Sequence, residues 1–392
     1  MSKNTTANIV FCIAVVILLV GYFVFGPRHG FDSASYRSFG DVVLDWVFRD
    51  IYVGIPMRDH VLIPNYILPA FLIGSCYEIF GSYGHQAAIG LNIVLFAFCV
   101  KMLIQIWRIL GFEKDQPLAF VVFLSLFLCF GLIDTPLWVY YDLTDIIFLF
   151  YVTLFLFFII KGMKQQSSSF VIFSLFLALF GYFVRPTAMV LPVIWLLFMS
   201  LLIYKKKFNW FGYLTIACVC LGTLTIILGF PAIVDIIIDN RKLIKDWPQF
   251  LTKAATQSRV FYEYGWVVAD RPETFVLNPQ GYWDYLEITL KRLFYYFSPF
   301  RSGYSLIHSS INAMYLLVTL PLAGFGIVTA WKQSDENKRF VVVIITTSLL
   351  FGLMHAITLN SYDWRYQLPA MIPLWILAGI GGLRINSKYT RR

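Results

Sequence analysis

Long apolar stretches recur along the whole chain, at residues 9–25, 87–107, 118–133, 143–160, 170–184, 187–204, 213–230, 311–331, 341–359 and 368–383. Crossing the hydrocarbon core of a bilayer takes about 20 predominantly apolar residues as a helix. The helix is required because a backbone exposed to lipid must satisfy its own hydrogen bonds. The expected fold class is therefore an all-α integral membrane protein with about ten transmembrane helices. Hydrophobic residues make up 59% of the chain and charged residues 14%, against roughly 45–50% and about 25% in soluble domains. A mean hydropathy of +0.72 shows that the excess is not confined to one anchor. A soluble globular protein is excluded. The 392 residues hold no internal repeat and no linker, so residues 1–392 read as a single membrane domain without a large soluble part. Cys12, Cys76, Cys99, Cys129, Cys218 and Cys220 fall in apolar segments and form no CxxC pair. They read as small buried hydrophobes, not as a disulfide framework or a zinc motif. No small-residue cleavage site follows residues 9–25, so this first segment is expected to stay as a helix.

An eleventh apolar piece, residues 61–80, is long enough to cross but carries Pro64, Asn65, Pro69 and Glu78. Charge decides its place, because cytoplasmic loops are enriched in Lys and Arg. If 61–80 stays in the outer interface and the N-terminus is cytoplasmic, the inner side collects several basic loops. These hold Arg108 and Lys114, Lys161 and Lys164, Lys205 to Lys207, Lys332, Lys338 and Arg339, and the tail with Arg384, Lys388, Arg391 and Arg392. The short outer turns then carry only Arg185 and Arg365. A crossing at 61–80 would put the lysine triplet outside. The expectation is both termini in the cytoplasm, and large outer segments at 26–86 and 231–310. The net charge of +9 belongs to this topology and not to nucleic acid. Within the second outer segment, residues 285–297 mix Glu287, Lys291 and Arg292 with apolar residues at helical spacing, as in a helix lying in the interface. The other aromatics there suit interfacial anchoring, with some room for sugar stacking.

Four outer turns concentrate the polar chemistry. The first, GPRHGFDSASYR, places Asp32 just beyond the first helix; the second, DTPLWVYYDLTD, places Asp142 and Asp145 one helical turn apart; the third holds Arg185 and Pro186; the fourth, NSYDWRYQLP, holds Asp363, Arg365 and Tyr366. Each has a plain structural reading. Asp32 is a hydrated loop acid, Asp142 an N-cap for a helix from Leu143, Asp145 a first-turn acid that favours the helix dipole, and the two arginines snorkel to headgroups. Against these stands the convergence of all of them on one face, where charge beside hydrocarbon is costly. His29, His60, His85 and His308 also fall outside. Their spacing carries no metal signature, and they read as interface polar residues, with His60 kept as a candidate substrate contact.

The ordered series FDSASY, HVLIPNYILPAFLIGSCYEIFG, TDIIFLF, RPT, LKRLFYYFSPF and RYQLPAMIPLWILAGIGG resembles the C-type (GT-C) membrane glycosyltransferase superfamily. Within it the series is similar to the bacterial transferases that use polyprenyl-phosphate sugars. The resemblance implies interfacial juxtamembrane helices in the first outer loop, a polyprenyl-phosphate-linked sugar as donor, and a glycan, lipid or protein hydroxyl as acceptor. The site would lie on the extracytoplasmic face of a bacterial inner membrane, with inversion at the anomeric carbon. It assigns the first-loop acid, Asp32, as general base. The leaving lipid phosphate needs compensating charge, which suits Arg185 and Arg365, with Tyr366 as a further donor. Asp145, or alternatively Asp142, would position the acceptor or hold a divalent metal, which is otherwise unassigned. Two other readings stay open. An O-antigen polymerase or ligase would use Arg241, Arg259, Arg271, Arg292 and Arg301 of the large outer segment. A transporter or flippase would need charges in mid-membrane, where only Lys101 and His355 qualify.

Overall fold

The computed structural model describes residues 5–30, 33–48, 66–113, 116–203, 282–300, 304–358 and 364–390. The expected crossing at 213–230, the lysine triplet and most of the segment 231–310 lie outside the described residues. Among the described residues the secondary structure is helical, apart from one isolated bridge between Arg28 and Tyr141. The helices are α1 (Thr5–Phe25), α2 (Ser33–Phe48), α3 (Ile67–Phe80), α4 (Gly84–Ile109), α5 (Leu118–Phe130), α6 (Asp134–Val139) and α7 (Asp145–Gln165). They continue with α8 (Ser168–Phe180), α9 (Val190–Ile203), α10 (Tyr282–Tyr296), α11 (Leu306–Gln333), α12 (Asp335–Thr358) and α13 (Leu368–Thr390). Among the described residues, six stretches are long and apolar enough to cross a membrane: Thr5–Phe25, Ile67–Ile109, Asp145–Gln165, Leu306–Gln333, Asn337–Ala356 and Leu368–Ser387. Three shorter apolar helices, Leu118–Phe130, Ser168–Phe183 and Thr187–Ser200, stand among them. The protein is a multi-pass, all-α membrane protein.

Helix α13 runs through the middle, with Met371, Trp375, Ile376 and Ile380 buried. Between apolar helices in lipid, burial from water supplies little attraction, and close packing through small residues takes its place. Gly326 of α11 and Gly381 of α13 illustrate it. A Cβ on Gly326 would stand 1.9 Å from the Leu377 carbonyl oxygen, and one on Gly381 would stand 2.0 Å from that of Leu322. Gly379 leaves room for the Trp107 indole of α4, whose Nε1 donates to the Ile376 carbonyl at 3.1 Å. Buried polar atoms are tied down in the same way: Trp375 Nε1 donates to Tyr315 Oη at 2.7 Å, and Tyr315 donates to the Leu128 carbonyl at 2.6 Å. Outward-facing Val16, Val20, Phe23 and Val24 of α1 and Met314 and Leu317 of α11 are exposed, as lipid-facing side chains are.

Of the eleventh apolar piece, residues 66–80 are described. Helix α3 has 14 residues, Ile67–Phe80. Tyr66, just before it, has its ring 5.4 Å from that of Tyr36 and lies in the field of Arg185, while Tyr77 in its last turn donates to Asp142 at 3.0 Å. Asp142 and the partner of Arg185, Asp145, are three residues apart, so both ends of α3 sit at one end of the bundle and the helix lies along that end. Gly81, at φ 54, and a short 3-10 turn then reverse the chain, and Tyr77 presses against Gly84 at the start of α4. Helix α2 packs on α3 with Gly40 against Gly74, where an added Cβ would meet backbone at 2.5 Å. Helices α2 and α3 stand between α1 and α4 in the chain. Helix α10 covers the amphipathic stretch at 285–297, with Arg292 and Tyr296 buried and Leu290 and Phe294 exposed.

Candidate functional site

The helix ends divide into two sets. At one end Lys164 of α7 donates to Asn337 of α12 at 3.2 Å, Asn386 of α13 donates to Gln116 at 2.9 Å, and Arg108 pairs with Glu113. At the other end the C-terminus of α1, the N-termini of α4, α7, α11 and α13 and the turn between α8 and α9 come together, and nearly all the buried acids are there. Asp134, Asp142, Asp145 and Arg185 are all at most 4% exposed.

Three clusters share that end. In the first, Arg185 Nη1 donates to Asp145 Oδ1 at 2.5 Å. The guanidinium lies 5.0 Å from the centre of the Tyr366 ring and 5.7 Å from that of Phe148. Burial opposes the charge on Arg185, but the Asp145 carboxylate together with Tyr66, Tyr366 and Tyr36 outweighs it and holds the guanidinium charged. Tyr36 faces the same pair. Burial pushes its phenol well above the ordinary value, so it remains a protonated hydrogen-bond donor. The 3-10 turn Trp364–Gln367 brings Tyr366 in, and its carbonyl accepts from Tyr296 Oη at 2.7 Å. The His355 ring lies tilted between those of Tyr296 and Tyr366, with centres 5.1 and 5.0 Å away.

The second cluster is built on Asp142, which is 2% exposed. Backbone pairing sets it: Arg28 N donates to the Tyr140 carbonyl at 2.9 Å, and Gly30 has no Cβ that would strike Leu143. The turn after α1 is thereby pinned on the turn before α7. Ser33, at the start of α2, donates its hydroxyl to Asp142 Oδ1 while accepting from Gly30 N at 2.6 Å. On Oδ2 converge Tyr77 Oη at 3.0 Å, His85 Nδ1 at 3.0 Å and His29 Nδ1 at 3.2 Å. The two imidazoles stack with centres 3.9 Å apart. Burial pushes the Asp142 carboxyl up, and the hydrogen bonds from His85, Ser33 and Tyr77 together outweigh it and hold it well below the usual carboxylate range. The ligand atoms of His29, His85 and Asp142 lie within 4.8 Å of one another, close enough to share a metal ion. In the third cluster, Asp134 Oδ2 accepts from Asn312 Nδ2 at 2.8 Å and meets His308 Nε2 at 3.0 Å, with the His308 ring stacked on Tyr304 at 4.2 Å.

The structure thus brings Asp142, Asp145, Arg185 and Tyr366 to one end of the bundle. Asp32, His60 and Asp363 lie outside the described residues, and of Arg365 only the backbone, in the 3-10 turn, is described. Two local expectations are corrected. Asp142 does not cap a helix from Leu143: α7 starts at Asp145 after Thr144, and the Asp142 carboxylate turns away to Ser33, Tyr77 and the histidines. Asp142 and Asp145 accordingly do not share a helical face; one residue lies in a bend, and they serve different clusters. Ser33, Tyr36, Tyr77, His29, His85, Asp134, His308 and Asn312 were not singled out as site residues by the sequence reading. The two histidines are far apart in the chain, and only the turns that bring them to one carboxylate reveal them. Of the alternatives, Arg241, Arg259, Arg271 and Arg301 lie outside the described residues, whereas Arg292 is buried with Nη1 3.4 Å from the Ala356 carbonyl. Lys101 sits 5.6 Å from the centres of the Phe11 and Phe98 rings, and His355 lies in the last turn of α12. No family profile, no curated protein and no solved structure matches this chain.

Proposed function

We propose that the chain is a membrane glycosyltransferase that moves a sugar from a polyprenyl-phosphate donor to an acceptor hydroxyl, with inversion, on the extracytoplasmic side of a bacterial inner membrane. In this reading the chain has about ten crossings, with both termini cytoplasmic. The observation that carries it is the buried Arg185–Asp145 pair, flanked by the phenols of Tyr36 and Tyr366, at the end of the bundle where separate outer turns converge. Charges kept beside hydrocarbon are costly and mark functional positions. An ion pair with planar donors and phenolic hydroxyls around it suits a lipid phosphate and a sugar.

The chemistry divides among the residues. Asp142 is held as an ionised, fully engaged carboxylate, and Asp145 is committed to Arg185, so neither is well placed to take a proton. Asp32, one residue before Ser33, remains the general base that deprotonates the acceptor as it attacks the anomeric carbon. The lipid phosphate leaves as a stable anion. Arg185, through donors other than the one on Asp145, and Arg365 balance its charge, while Tyr366 donates a further hydrogen bond. Asp145 acts by orienting Arg185. Transfer assays with a radiolabelled polyprenyl-phosphate sugar in membranes test this. Asp32→Asn is expected to lose transfer by at least a hundredfold, in line with a general-base contribution of about 10²–10⁴, with expression and insertion unchanged. Full activity in that variant would remove Asp32 from the chemistry and the reading with it.

A further inference from the structure

We infer that His29, His85 and Asp142 form a binding site for a divalent transition metal of the zinc class. The inference stands apart from the sugar-transfer reading and uses only the three side chains and their surroundings. They come from three elements, the turn after α1, the first turn of α4 and the turn before α7, and their donor atoms meet within 4.8 Å. In a tetrahedral site with bonds of about 2.0 Å, neighbouring donors stand about 3.3 Å apart; the separations from Asp142 Oδ2 to His85 Nδ1 and His29 Nδ1 are 3.0 and 3.2 Å.

Hydrogen bonding alone gives the same distances but accounts poorly for the crowding. Oδ2 has two lone pairs and is approached by three polar groups, Tyr77 Oη, His85 Nδ1 and His29 Nδ1. For all three to donate, both stacked imidazoles must carry their proton on Nδ1 and aim it at one atom. A cation relieves this. Neutral histidines then turn nitrogen lone pairs to it, the carboxylate supplies the third ligand, and Tyr77 is the one remaining donor to Oδ2. Oδ1 is already held by Ser33, itself fixed by Gly30 N, which is the outer-shell support that orients a ligating carboxylate. Two imidazoles and one carboxylate favour zinc over magnesium or calcium, which take oxygen ligands. The His29 side chain is 68% exposed, so the ion reaches solvent and a fourth place stays open to water or an anionic oxygen. The Arg37 guanidinium lies over the Tyr77 ring, 4.6 Å from its centre.

The test uses the full-length protein, purified in detergent, stripped with a chelator and re-equilibrated with zinc chloride or magnesium chloride. Elemental analysis after gel filtration is expected to find one zinc per chain and no retained magnesium, with a higher melting temperature in zinc. His29→Ala, at an exposed position where folding is not at risk, and Asp142→Asn are each expected to weaken zinc binding at least tenfold. Wild-type protein that leaves the column without zinc overturns the inference. So does zinc retained with unchanged affinity in both variants, which would place the ion elsewhere. Sugar transfer by zinc-free protein would leave the transferase reading standing whichever result is obtained.

Discussion

Asp142 and the Arg185–Asp145 pair make opposite demands at the level of single residues. Asp142 has its carboxyl value depressed in the folded protein. Its contribution to stability is therefore fully present above the unfolded value of about 4 and is lost as pH falls toward the folded one. In thermal unfolding, the gap between wild type and Asp142→Asn is expected to stay level from about pH 8 to about pH 5 and to narrow below about pH 4. A gap that closed between neutrality and pH 5 would show that the carboxylate is not held as described. For the ion pair, Arg185→Ala strands a buried carboxylate, at a cost of roughly 3–5 kcal/mol. Replacing both partners by apolar residues, Arg185→Met with Asp145→Leu, is expected to cost less than Arg185→Ala alone, because no charge is left uncompensated. Denaturation midpoints of the single and double variants decide this. Asp142, Asp145, Arg185 and Tyr366 were legible in the sequence because a charged or phenolic residue beside a hydrophobic run stands out. His29, His85 and Ser33 were not, since nothing local distinguishes a histidine that meets a distant carboxylate from one that faces water. Asp142 and Asp145 were misjudged as neighbours on one helical face for a related reason. Helical spacing holds only inside a helix, and α7 begins between them.

Elements were easier to read than contacts. The described helices follow the apolar stretches, and their ends fall where chain geometry requires: Gln166 takes a left-handed conformation after α7, and Gly111 follows α4 at φ 84. Residues 61–80 resisted because hydropathy cannot separate a crossing segment from one lying along the membrane. The facts that bear on it are tertiary, with Tyr66 and Tyr77 both drawn to the same end of the bundle. Close packing of the long helices was also hidden, as glycines in an apolar run look alike. Helix α11 offers a paired measurement. Gly324 has open space around it, so Gly324→Ala is expected to be neutral or to stabilise by up to about 1 kcal/mol through helix propensity. Gly326, two positions beyond it on the helix's inner side, lies against the Leu377 carbonyl. Gly326→Ala is expected to cost about 1–3 kcal/mol by forcing α11 away from α13, and to reduce whatever activity depends on their joined ends. Equal melting temperatures for the two variants would show that the helices do not meet at Gly326.

Across the whole molecule, the sorting of polar groups to two ends is the property on which the functional reading depends. Apolar packing fills the space between the ends, around Trp107, Trp195 and Trp375. Acids, histidines and Arg185 gather at one end, and Lys164, Asn337, Asn386 and Arg108 at the other. A bilayer imposes this sorting, because charged groups in mid-membrane are disfavoured and lysine and arginine collect on the cytoplasmic side. The two ends should therefore face different compartments. Single cysteines placed in a cysteine-free background make this measurable, using His29, 68% exposed, for one end and Lys332, exposed at the foot of α11, for the other. A membrane-impermeant maleimide added to intact spheroplasts is expected to label the cysteine of His29→Cys, and to label that of Lys332→Cys only after permeabilisation. Labelling of Lys332→Cys alone in intact spheroplasts would invert the molecule, putting the acidic end in the cytoplasm, where nucleotide-activated donors are at hand and a lipid-phosphate donor loses its rationale. Labelling of both from outside would mean that the chain between them crosses an even number of times in a different arrangement, and that α3 spans the bilayer instead of lying along its surface.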